Sequence, residues 1–266
     1  MYTFFTLSTA LLYSLAGIAQ YLQLAKKSHP TRLKLPYWAV KFFAVTALLG
    51  HTIILQFSLH LEQGINLSFF NTGSLVSWLV ALVLLISSLR QQVDNLFIAV
   101  FPMAALVLVL QTMFAHPEPK PYALGVISHI LLSILAYSIF TLAAFQAVLL
   151  QLQNNALKNN IGGGFLNSLP PLQTMERLLF EMLWTGFILL SASLISGFVF
   201  VEDIFGQHLV HKSFLSLVSW CVFATLLFGR IFWGWRGHKA IRWTIGGFLS
   251  LMLGFFGSKL VLELLQ

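Results

Sequence analysis

Eight runs of mostly apolar residues, separated by short polar segments, leave this chain few ways to fold. Wound as α-helix, about 20 such residues span the hydrocarbon core of a bilayer, and helices satisfy their own backbone groups where no water can. The runs are Tyr2–Leu24, Tyr37–His60, Phe70–Leu89, Asn95–Ala115, Tyr122–Gln151, Glu181–Val201, Ser213–Trp233 and Trp243–Leu264. Charged residues make up 9% of the chain, against roughly 25% in soluble domains. The expected fold is therefore all-α: a polytopic membrane protein with eight transmembrane helices in a single integral-membrane domain, residues 1–266. The first run lacks a positive n-region and exceeds a signal-peptide core in length, so it reads as a retained span. The fifth is longer than a bilayer requires and is expected to tilt or project. Pro102 is expected to kink the fourth.

Charge placement sets the orientation. Lys26, Lys27, Arg32, Lys34, Lys41, Arg90, Lys158, Arg177, Arg230, Arg236, Lys239 and Arg242 fall at one end of the spans, and Lys120, Lys212 and Lys259 at the other. Because cytoplasmic loops collect Lys and Arg, this twelve-to-three split predicts an N-out/C-out bundle. The net charge of +7 is thereby explained without nucleic acid, since no basic run is interleaved with aromatics on a polar face. The segment 152–174 reads as the longest loop, and Leu172–Met182 as an interfacial stretch before the sixth span. Trp38, Trp233, Trp235 and Trp243 near span ends fit an aromatic belt, and Cys221 a small buried hydrophobe.

Several function classes lose their chemistry at this point. No Asp or Glu lies near the middle of a span, so the buried carboxylate usual in proton-coupled transport is missing. Neither HExxH nor GxSxG occurs, and an active site of the chain's own is not expected. Histidine remains. His51 lies within the second span and His129 within the fifth. An imidazole held in lipid either bonds to a neighbouring helix or ligates a metal such as haem iron. The stripe Thr52, Gln56 and His60 gives the second span a polar face that is expected to look into the bundle. His129, Ser133, Tyr137 and Thr141 form a polar line at i, i+4 spacing, which suits a ligand with donors that fix its tautomer. Lys120 and Lys212 on the outer side are candidates to neutralise haem propionates. His208 and His211 make a two-ligand metal site at most and read as solvated loop residues.

Four segments then look familiar: Gly73–Leu85, Ser128–Ala144, Leu169–Gly197 and Phe214–Val261. Together they resemble the cytochrome c assembly superfamily, the CcsA, CcmC and HemX relatives, and within it the YpjD-like inner-membrane branch, over about residues 48–261. The resemblance implies a non-enzymatic, haem-handling protein of the bacterial inner membrane, associated with c-type cytochrome biogenesis. It implies haem as cofactor, and cytochrome c maturation or haem-synthesis proteins as partners. It matches His51 to an in-span family histidine and His129 to an outer one. It also implies a tryptophan-rich loop at Phe198–Lys212, where this chain has no tryptophan, and a second in-span histidine near Gly229–Arg230, where it has none. A haem-free regulator of the HemX type is the alternative, and a small-molecule transporter a more distant one.

Overall fold

The computed structural model describes residues 2–28, 36–61, 64–114, 119–159, 168–200 and 210–257. Eight α-helices carry most of them: α1 (Tyr2–Ser28), α2 (Tyr37–Leu59), α3 (Phe69–Ser87), α4 (Phe97–Phe114), α5 (Leu124–Lys158), α6 (Leu172–Phe200), α7 (Val210–Trp233) and α8 (His238–Met252). A 3₁₀ turn, Asp94–Leu96, leads into α4, and a π turn, Leu253–Gly257, extends α8. Eight candidate spans, one to each helix, are long and apolar enough to cross a membrane. The protein is an all-α polytopic membrane protein.

The helices depart from the expected runs mainly at their charged ends. α6 begins at Leu172, so the expected interfacial stretch is the first three turns of the helix itself. Met175, Leu178, Leu179 and Leu183 are buried there at helical spacing, and Arg177 pairs with Glu181 one turn on. α8 likewise starts five residues before Trp243, because Ala240 and Ile241 are already buried. α5 runs for 35 residues, about 52 Å of helix against the roughly 30 Å of a hydrocarbon core. The expected loop 152–174 is correspondingly shorter. Cys221 is exposed, not buried.

A three-stranded antiparallel sheet, with no counterpart in the sequence reading, joins two interhelical connections. It comprises β1 (His60–Leu61), β2 (Gly64–Asn66) and β3 (Pro119–Lys120). Strands of two or three residues are too short to show a period.

The chain divides into two compact units, Met1–Pro121 with Leu152–Pro171, and Tyr122–Gln151 with Leu172–Gln266. In the first, α1 packs on α2 and α4, and α3 packs on the same two helices. Pro102 sits inside α4 against Gly17 of α1, where a methyl group would come within 2.9 Å of the proline ring. Small residues at such crossings let helices approach when lipid supplies no hydrophobic drive. A polar knot crosses three helices: Gln111 Nε2 donates to Ser58 Oγ at 3.0 Å and to Asn71 Oδ1 at 2.8 Å. In the second unit, α7 packs against both α6 and α8. α5 joins them through side chains, with Phe140 stacked on Phe223 at a centroid distance of 3.9 Å.

Candidate functional site

The two in-span histidines occupy different units and different surroundings. His51 is fully buried, at 0% exposure. Its Nδ1 lies 3.2 Å from Tyr13 Oη of α1, and its Nε2 lies 2.8 Å from Ser74 Oγ of α3. Either tautomer closes this Tyr13–His51–Ser74 chain, because each hydroxyl can donate or accept. Tyr13 also meets the imidazole edge-on, with ring centroids 5.8 Å apart. Both nitrogens are thus engaged, and a metal could reach one only by displacing a hydroxyl.

The neighbouring stripe does not look inward as expected. Thr52 and Gln56 are exposed. One residue advances a helix by about 100°, so the face that buries His51 turns Thr52 outward. Thr52 needs no burial to be satisfied, since its hydroxyl donates to the Leu48 carbonyl at 2.8 Å and accepts from Trp78 Nε1 at 3.0 Å. The side chain of His60 lies outside the described residues.

His129 is half-buried, early in α5. Its Nδ1–H donates to the Ser193 carbonyl of α6 at 2.8 Å, with Ser196 Oγ at 3.2 Å. A carbonyl only accepts, so this bond fixes the tautomer: in the neutral ring the lone pair lies on Nε2. Nε2 has no hydrogen-bond partner among the described residues. The ring rests over Gly197, where a Cβ would fall 2.9 Å from Cε1 and 3.2 Å from Nδ1. Ser133, one turn below, donates to the His129 carbonyl at 2.7 Å and lies 2.7 Å from Ser193 Oγ. Further along the same face, Tyr137 and Thr141 are buried, and Tyr137 packs against Phe248, Phe255 and Phe256.

One nitrogen of this imidazole is held by a backbone carbonyl, which fixes the ring's orientation, and the other has no partner among the described residues. No group of three His, Cys, Asp or Glu side chains able to hold a bare metal ion occurs among the described residues. A macrocycle that brings its own four nitrogens asks the protein for an axial imidazole only, and His129 fits that demand. Lys120 lies on β3, exposed, in the first unit. The Lys212 and His211 side chains and all of His208 lie outside the described residues. Both imidazoles are legible in the sequence as in-span histidines, and their partners are not. Ser193, Ser196 and Gly197 recur at i, i+3 and i+4 along α6, a small-residue face that is the signal that could have marked a seat for a ring.

The cytochrome C assembly protein family matches residues 38–266. The chain is 33% identical over 230 residues to the inner membrane protein YpjD of Escherichia coli K12, covering 84% of this chain and 86% of that protein. It is 31% identical over 103 residues to a cytochrome c biogenesis protein CcsA from Prochlorococcus marinus, covering 36% of this chain and 33% of the relative. A Gloeobacter violaceus CcsA is 29% identical over 87 residues, covering 32% and 26%. No solved structure matches.

Proposed function

Because this chain belongs to the cytochrome C assembly family, we propose that it is a non-enzymatic inner-membrane protein that binds haem through His129 in support of c-type cytochrome biogenesis. The single observation carrying this reading is the His129 imidazole, with Nδ1 tied to the Ser193 carbonyl and Nε2 without a hydrogen-bond partner among the described residues. In the N-out/C-out orientation favoured by the basic residues, His129 stands towards the outer face. When bound, haem would supply an iron that the His129 imidazole would hold. The protein's own contribution is to orient that imidazole through Ser193 and Ser196, to leave room for it at Gly197, and to shield it between α5 and α6. Lys212 remains a candidate for the propionates, while Lys120 belongs to the first unit and is not assigned to this haem. His51 is the second candidate ligand, and its use requires it to give up Tyr13 or Ser74.

The test is the visible spectrum of the full chain, purified in detergent from cells supplied with haem. The wild type is expected to show a Soret band, His129→Ala to lose most of it, and His51→Ala to keep it wherever the protein stays folded. A band unchanged in His129→Ala overturns the assignment of His129. No band in any variant favours the haem-free partner role, for which the tryptophan-free segment Phe198–Lys212 also speaks.

A further inference from the structure

Where α6 begins and α7 ends, the second unit contains a cavity of about 440 Å³. Its lining combines aromatic rings, Phe180 and Trp184, with three guanidinium groups, Arg177, Arg230 and Arg236. Arg230 is held in place. Its Nη1 lies 3.0 Å from Glu176 Oε1 and donates to the Trp235 carbonyl at 3.3 Å, and its guanidinium stands 4.6 Å above the Phe180 ring. Trp235 is seated against Gly229, where a Cβ would come within 2.5 Å of the indole, and it packs with Trp233 and Trp243. Rings at the ends of apolar spans suit an interfacial aromatic belt.

The other two arginines are differently engaged. Arg177 and Glu181 form an ion pair at 2.9 Å with side chains 65% and 42% exposed, and such pairs hold each other weakly. Arg236 is exposed and has no ion-pair or hydrogen-bond partner among the described residues. Three cations therefore face two carboxylates, and Glu176 is already engaged by Arg230. From this opening α6 turns Trp184, Ile188 and Ile195 outward, at 39%, 63% and 65% exposure. That stripe leads from the cationic rim along the lipid-facing side of the helix. A water-soluble anion would use the guanidinium groups and leave the stripe idle; a two-part ligand with an acidic head and apolar chains uses both.

We propose that this cavity binds the phosphate headgroup of an anionic phospholipid between Arg177, Arg230 and Arg236, with an acyl chain along Trp184, Ile188 and Ile195. Arginine suits the head because its planar fork meets phosphate oxygens in pairs. The ligand chemistry is a phosphate anion, and the experiment separates a lipid from the free ion. The full chain, stripped of lipid in an uncharged detergent, is titrated with phosphatidylglycerol, phosphatidylcholine or inorganic phosphate. Its thermal midpoint is followed, and retained lipid is counted by native mass spectrometry. Phosphatidylglycerol is expected to raise the midpoint and be retained, while the other two do neither. Arg177→Gln with Arg236→Gln is expected to weaken the apparent phosphatidylglycerol affinity about tenfold, and Arg90→Gln, in the first unit, to leave it unchanged. Arg236→Gln alone removes no internal contact and gives a smaller loss in a protein that still folds. Equal responses to both lipids, an undiminished response in the double variant, or a response to inorganic phosphate alone would each overturn the proposal.

Discussion

His51 and His129 are both in-span imidazoles bonded to hydroxyl-bearing side chains of neighbouring helices, yet they differ in the quantity that matters for ligation. In the first unit, Tyr13 and Ser74 occupy both nitrogens of a ring with no exposure. In the second, Ser193 and Ser196 share one nitrogen of a half-buried ring and leave the other open. The contrast shows that a histidine within a span is not one kind of object. Counting its free nitrogens separates an imidazole that ties helices together from one that can receive a partner. In lipid a lone polar bond between helices contributes modestly, about 0.6 kcal/mol on average. A side chain bonded at both ends to two neighbouring helices has much more to lose.

The comparison would break first at His51→Ala. Removing the ring leaves a cavity and two buried hydroxyls short of a partner, an expected loss of about 2–4 kcal/mol in stability measured by denaturation in detergent. A loss below that measured for His129→Ala would reverse the contrast. Gly197→Val comes next. Its Cβ would meet the His129 ring at 2.9 Å, and such overpacking costs about 1–3 kcal/mol. Because the ring itself is displaced, the Soret band is expected to fall more than the thermal midpoint does. An unchanged band would mean that the ring's seat has no part in haem binding. Thr52→Ala sharpens the contrast from the other side. It removes an exposed hydroxyl beside His51 together with the bond that hydroxyl accepts from Trp78 Nε1, and should cost about 0.6 kcal/mol. A loss as large as that of His51→Ala would erase the contrast between a hydroxyl on the outer face of α2 and the ring it flanks.

The eight spans were legible because lipid imposes a single requirement, an unbroken apolar length, that any stretch either meets or fails. The ends of α6 and α8 were not. There Arg177, Glu181 and Lys239 interrupt the apolar run while Met175, Leu178, Ala240 and Ile241 still keep helical spacing towards the protein. The short strands around Lys120 escaped because their bonds lie between segments distant in sequence, Ile65 with Lys120 and Asn66 with Pro119. For the same reason His51 and His129 could be picked out as residues while Tyr13, Ser74 and Ser193 could not be picked out as their partners. Which helix lies beside which is not written in the periodicity of either one. The outward turn of Thr52 and Gln56 teaches a related lesson: a hydroxyl that bonds its own helix carries no inward pull.

The Tyr13–His51–Ser74 chain bears on how the protein is made. Synthesis proceeds from the N-terminus, so the first two spans leave the ribosome with a hydroxyl and an imidazole that await the third. The amide of Asn71, on that third span, then waits for Gln111 on the fourth. Each new segment completes what its predecessors lack, and the early helices gain by staying together near the insertion machinery until α4 arrives. Truncation after α2 or α3 would leave a nascent chain with open polar groups facing oil, the state that membrane quality control is built to remove.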